Sequence, residues 1–379
     1  MGASNGWQIG LIGTHWSKGW IIENNIISHS VCTGITLGKY GDEFDNTSAD
    51  TAEGYVETIK RAHAFTIPWT KEKIGHHIVR NNTISHCEQA GIVGSMGAAF
   101  STITGNVIHD IHVRRFFGGA EMAGIKFHGA IDSTIERNHI YRTCLAIWLD
   151  WMTQGTRVSS NLLRDNDRDF FIEVNHGPYL IDNNISLSPF AIDNWSNGGA
   201  FVHNYFAGQI RVTPHQDRKT PFLVPHSTEI LGLSDTDKGD DRYLNNIFAG
   251  PADLSQYDDA KLPVLMEGNV FSAEAKPSKQ ESGRFPVLPL KLLEKPEGYF
   301  IEVPSRADWD RKLSRKSINA DILGKTAIGN AAFDDHNGKP IRINTDYFGK
   351  ARPSSNPTPG PFENPAAGLL HVFKQTEER

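Results

Sequence analysis

Two acidic residues, Asp150 and Glu173, sit in strings where apolar and polar side chains alternate, and both have aromatic neighbours. Asp150 ends Leu145-Ala146-Ile147-Trp148-Leu149-Asp150 and is followed by Trp151; Glu173 lies in Phe171-Ile172-Glu173-Val174-Asn175-His176. A pair of carboxyl groups flanking one bond is the equipment for cleaving a glycoside, one attacking or activating water and the other protonating the leaving oxygen. Trp148 and Trp151 suit this chemistry, because aromatic faces stack on sugar rings and an apolar wall pushes one carboxyl toward its neutral form. Lys126 can pair with a carboxylate, Glu121 adds a third acid, and His128, Asn175 and His176 offer hydrogen bonds to sugar hydroxyls. Trp195 is a further aromatic. Taken singly, each has an ordinary reading: solvated surface charge for the acids, salt-bridge partner for Lys126, satisfied polar contact for His128, packing under a loop for Trp195. Two acids beside two tryptophans shift the balance toward a site.

The element that must bring Asp150 and Glu173 together is a repeat. The unit apolar-x-x-Asn-x-apolar recurs with its asparagine at 25, 82, 106, 138, 161, 183, 204, 246 and 269. Most gaps lie between 21 and 24; the gap of 42 reads as two units of 21, the 32 as one unit plus a loop, and the 57 as one or two units with an insertion. A period of about 22 residues with β-branched residues around a turn marks a β-solenoid. The leucine ladder of leucine-rich repeats is absent, which leaves an all-β, right-handed parallel β-helix of three-sided coils. The asparagines are expected at corners in a left-handed conformation, their amides bonded into a column.

A second strand follows each corner, giving rungs such as Ile125-Lys126-Phe127-His128, Ile147-Trp148-Leu149-Asp150, Ile172-Glu173-Val174-Asn175 and Ile192-Asp193-Asn194-Trp195. First and third positions point into the core, second and fourth outward. In this alignment Asp150 is fourth and Glu173 second on adjacent rungs, a diagonal of about 8 Å between α-carbons. The carboxyls then lie about 5 Å or about 8 Å apart, which leaves retaining and inverting mechanisms both open.

Two insertions break the rungs, 39–77 with a short helix over Thr51–Phe65, and 209–242; each is a candidate rim for a site. Coils are expected over 1–275. A C-terminal arm and capping segment packed on the helix is expected over 276–379, including Asp308-Trp309 and a Pro/Gly-rich end. Recognisable coil starts by Ile21 with little before it to cover the first coil. That reads as a solenoid lacking its N-terminal part, or as a homo-oligomer that hides the first coil. The formal net charge of −6 argues against a nucleic-acid partner. No run of 18 apolar residues and no leader-like start occurs, so the reading is soluble, cytoplasmic and without a membrane partner. Cys32, Cys87 and Cys144 have no metal-ligand spacing and read as buried thiols; no metal or cofactor is expected.

The strings around Asp150 and Glu173, with Gln154-Gly155-Thr156-Arg157 between them and His176-Gly177-Pro178 after them, resemble glycoside hydrolase family 120. The likeness is strongest over about 120–230 and looser elsewhere, including Thr345-Asp346-Tyr347-Phe348-Gly349. It implies a retaining exo-β-xylosidase on a right-handed β-helix, releasing xylose from xylo-oligosaccharides. Asp150 would be the nucleophile, Glu173 the general acid/base, and Glu121, in Glu121-Met122-Ala123-Gly124-Ile125-Lys126, a contact to the sugar being cleaved. Two other classes stay in view: a polysaccharide lyase with Lys126 or an arginine as base, and a non-catalytic carbohydrate-binding solenoid.

Overall fold

The computed structural model describes residues 9–38, 51–115, 121–281, 290–303 and 314–374. Asp308-Trp309 lies outside the described residues. Among the described residues, successive turns of chain add one strand each to three parallel sheets of eight, nine and nine strands, a parallel β-helix. The eight-stranded front sheet consists of β1 (Gly10–Gly13), β2 (Thr33–Leu37), β3 (Ala90–Gly94), β4 (Ala123–Phe127), β5 (Leu145–Leu149), β6 (Arg168–Ile172), β7 (Phe190–Asn194) and β8 (Gln209–Val212). Alternation does its expected work here. Ile125 and Phe127, Ile147 and Leu149, and Phe170 and Ile172 point inward and are fully buried. Each such side chain contributes roughly 1.5–3 kcal/mol of apolar burial. Farther along, the interior is aromatic: Phe206 stacks on Phe248 at 5.7 Å and Phe248 on Phe271 at 5.0 Å.

The corner column is continuous. Asn25, Asn82, Asn106, Asn138, Asn161, Asn184, Asn204, Asn246 and Asn269 follow one another, each amide nitrogen donating to the next amide oxygen at 2.9–3.0 Å. At its far end Asn269 donates to Glu281 Oε2 at 2.6 Å. Three expectations are corrected. The ladder member is Asn184, not Asn183. The left-handed turn is taken by the residue before each ladder amide, such as Asn81 (φ 55°), Arg137 (φ 55°) or Asn183 (φ 55°), because that residue reverses the chain while the amide must face along the axis. The gap of 42 is one coil and not two, since Asn204 bonds Asn246 directly; likewise the gap of 57 is one coil.

The extra chain in those two coils folds over the front sheet. A helix, α1 (Ala52–Ala64), is capped by Thr51, whose hydroxyl accepts from Gly54 N at 3.0 Å. The second insertion is an antiparallel hairpin, β9 (His215–Leu223) and β10 (Ile230–Thr236). Tyr55, Ile59 and Ala62 of α1 join Trp69, Trp151, Met152, Val174 and Leu223 in an apolar cluster outside the coil interior. After the last coil strand, Val270–Phe271, the chain returns along the solenoid's flanks. A three-stranded antiparallel sheet (Lys291–Lys295, Gly298–Val303, Gly368–Lys374) packs on Leu162 and Ile185, and Ile318, Phe333 and Ile341 pack on Leu180 and Val202.

Candidate active site

Register places the acids. Trp148 pairs with Phe171 and Leu149 with Ile172, so the next residues, Asp150 and Glu173, stand side by side on adjacent rungs. Glu173 N donates to Leu149 O at 2.8 Å, one step past the last pair. The expected alignment was therefore two residues out. Phe170, not Ile172, fills the first inward position, and Glu173 is fourth on its rung and not second. Shifting a strand by two residues leaves every side chain on the same face, so alternation does not distinguish these registers. His128, Asp150, Glu173 and Trp195 form one outward column, and Lys126, Trp148, Phe171 and Asp193 the neighbouring one.

Asp150 is 4% exposed and surrounded by donors. Its Oδ2 lies 3.0 Å from Lys126 Nζ and 2.7 Å from His128 Nε2, and its Oδ1 accepts from Trp151 N at 2.7 Å. Lys126 is completely buried, contacts Glu121 Oε2, and lies 4.9 Å from the Trp148 ring centre. Burial opposes ionisation of Asp150, but the charges of Lys126 and His128 outweigh it and hold the carboxyl well below the usual carboxylate range. Glu121 (φ 74°) is held in the left-handed region beside this cluster.

Glu173 is biased the other way. Burial, then the negative charge of Asp150, pushes it up to about 7, with Arg218 pulling in the opposite direction. Trp148 Nε1 donates to its Oε2 at 3.0 Å, and Arg218 of β9 donates to its Oε1. Val174, the next residue, is a β-branched side chain at φ 50°, a costly backbone state just past the strand end at Ile172.

The structure thus brings together Asp150, Glu173, Glu121, Lys126, His128 and Trp148, with Trp195 one rung beyond Glu173. Trp195 is partly exposed, lies 4.4 Å from the His215 ring and donates from Nε1 to Asp193 Oδ1 at 2.9 Å. Three expected contacts are corrected. Trp151 is 2% exposed and packs on Tyr55 at 4.3 Å, so its ring belongs to the support behind the site. Asn175 is fully buried at a corner, its amide bonding Leu149 O and Thr153 N. His176 is spent on Asn197 and Thr220, a strut between coil and hairpin. Sequence reasoning missed Arg218 and Tyr55. The signal for Arg218 was its place in an insertion long enough to form a rim.

Among the described residues, Glu121, His128 and Asp150 are grouped closely enough to hold a metal ion, their ligand-type atoms within 4.8 Å of one another. The Lys126 ammonium already contacts all three, taking the position of a cation, and we assign no metal there. Lys126 Nζ is likewise committed to these partners, which does not suit the proton-abstracting role of a lyase base. No helix among the described residues is long and apolar enough to cross a membrane.

Comparison with known proteins agrees with this architecture. A family model described as right handed beta helix region matches residues 7–208. The chain belongs to the right-handed β-helix family. A solved structure described as the complex of XylC with xylose superposes with a TM-score of 0.87 at 34% sequence identity, covering 97% of this chain. This chain spans 63% of the length of that one. No curated protein matches.

Proposed function

We propose that the chain is a retaining exo-β-xylosidase of the kind grouped in glycoside hydrolase family 120, acting on xylo-oligosaccharides. The observation that carries this reading is the stacking of Asp150 and Glu173 on neighbouring rungs with opposite electrostatic bias. Directly stacked residues have α-carbons about 4.8 Å apart. That spacing is closer to the roughly 5–5.5 Å carboxyl separation of a double displacement than to the wider one that admits a water between the acids, and it supports the retaining reading. The xylose in the XylC structure supports the choice of sugar.

In the first half, ionised Asp150 attacks the anomeric carbon while protonated Glu173 gives its proton to the departing glycosidic oxygen. In the second, Glu173 takes a proton from water, the hydroxide displaces Asp150, and xylose leaves with its original configuration. Lys126, His128 and the Trp151 amide keep Asp150 charged before attack and stabilise it as it departs again. Glu121 contacts the sugar in the cleaved position, and Trp148 holds Glu173 while presenting its ring to the groove.

Asp150→Ala is expected to reduce hydrolysis of an aryl β-xyloside to background. Glu173→Ala should slow a poor leaving group by about 10²–10⁴-fold. Circular dichroism should report intact coils in both, and NMR of the first product should show β-xylose. Full activity in either variant, or α-xylose as first product, refutes the assignment.

A further inference from the structure

Arg218 belongs to neither the coils nor the pair of acids, yet it reaches the site. It sits on β9, donates from Nη1 to Glu173 Oε1, and donates from Nε to the Tyr55 hydroxyl at 2.5 Å. Tyr55 is fully buried on α1 with its ring 5.7 Å from the guanidinium carbon and 4.3 Å from the Trp151 ring. Two insertions far apart in sequence thus converge on one carboxyl. Trp148 approaches the other oxygen of that carboxyl from the wall. A guanidinium ion pair is a poor partner for a group that must start protonated and a good one for a group that must later be a carboxylate.

We propose that Arg218, held by Tyr55, is a positioning residue that stabilises Glu173 as the carboxylate base of the second half-reaction. The inference rests on the retaining reading above. In the resting site the ionised Asp150 favours proton retention on Glu173, and Arg218 opposes it. When Asp150 becomes the xylosyl ester its negative charge is gone, and Arg218 is then the main ionic influence on Glu173, with Lys126 behind it. Glu173, having delivered its proton to the leaving oxygen, remains a carboxylate. It removes a proton from the water whose oxygen bonds to the anomeric carbon as the ester bond breaks. The groups facing Glu173 are Asp150, Lys126 and Trp148 from the wall, and Arg218 from the hairpin with Tyr55 behind it; His215, on the same hairpin, lies against Trp195.

The test compares wild type with Arg218→Met, Arg218→Lys and Tyr55→Phe on an aryl β-xyloside with an activated phenolate leaving group, which needs no acid. For Arg218→Met, kcat should fall by about 10²-fold, the order of a lost acid/base contribution, while kcat/KM falls by less than about threefold. A burst of phenolate should appear. Azide, which attacks the ester without losing a proton, should restore kcat and yield β-xylosyl azide. The alkaline limb of kcat/KM on an unactivated xyloside should move upward, Arg218→Lys should recover most of both effects, and Tyr55→Phe should show the same pattern weakly. Unchanged kcat and alkaline limb in folded Arg218→Met overturn the proposal, as does a fall in kcat that neither azide nor Arg218→Lys relieves. If Arg218→Met fails to fold, Tyr55→Phe without any kcat or pH effect overturns it. A wild-type chain without any xyloside turnover removes the retaining reading and this proposal with it.

Discussion

Asp150 and Glu173 share neighbours yet are driven apart by a few ångströms of placement. Asp150 has Lys126 at 3.0 Å and His128 at 2.7 Å, whereas Glu173 has one guanidinium, one indole N–H and the charge of Asp150 beside it. Lys126 is the most consequential of these groups because it is buried with both Glu121 and Asp150. Lys126→Met leaves two buried carboxylates without their cation, a cost of about 3–5 kcal/mol. It should lower the denaturation midpoint and raise the acid limb of kcat/KM, since Asp150 then holds its proton to higher pH; an acid limb that stays put would show that Lys126 does not govern Asp150. That Asp150 and Glu173 lie on adjacent rungs facing outward was legible from the repeat and its alternation, but their direct stacking was not, because a shift of two residues leaves the faces unchanged. Asn175 and His176 were misjudged because they lie past the strand end, where the chain turns its corner and alternation no longer says which way a side chain points. Arg218 was illegible as a contact because its partner, Glu173, is 45 residues away and met only through the fold of a hairpin.

The element that carries everything else is the coil, and the asparagine column sets its pitch. Each inner amide accepts from the backbone and side chain of one neighbour and donates to the next; Asn138 Oδ1 accepts from Asn106 N and Nδ2, and Asn138 Nδ2 donates to Ile103 O and Asn161 Oδ1. Asn138→Ala therefore strands several buried polar groups, each costing about 1–3 kcal/mol. Asn25→Ala, at the part-exposed start of the column, should cost under about 1 kcal/mol because water can replace the lost bond. Denaturant unfolding of the two variants should separate them by several-fold in free energy, and equal losses would mean the ladder is not the cooperative unit. The repeat was legible because this column needs asparagine at a fixed place. Its interruptions were misread where an insertion's length happened to match the period, as in the 42 residues from Asn204 to Asn246. The helix over 52–64 lies within the short helix expected over Thr51–Phe65, whereas the hairpin over 215–236 was not legible, its strands being largely polar and half exposed.

At the scale of the molecule, groups from different coils titrate with opposite signs, so the pH dependence of stability is a sum over the solenoid. His77, His139, His176 and His203 are buried imidazoles, each held below its ordinary value chiefly by burial, His77 and His176 at about 4. Below about pH 6.5 the unfolded chain takes up protons at these rings that the folded chain refuses, so stability falls as pH drops. Glu173, Asp241 and Glu281 act inversely. Burial pushes each up to about 7, so the folded chain keeps protons that the unfolded chain releases near pH 4. Their contribution is fully present below that and is lost as pH rises through about 7. Between about pH 4.5 and 6.5 the two sets oppose each other, and above 6.5 the carboxyls act alone. Thermal melts at half-unit steps should give a shallow maximum of Tm near pH 6–6.5 and a decline toward pH 8. Glu173→Gln should lessen that decline and, on the proposed mechanism, remove general acid catalysis, because the buried carboxyl that would protonate the leaving oxygen is also one of those that weaken the fold as it ionises. A Tm that climbs steadily from pH 5 to 8 would mean the three acids are ionised in the native coil, and Glu173 with them.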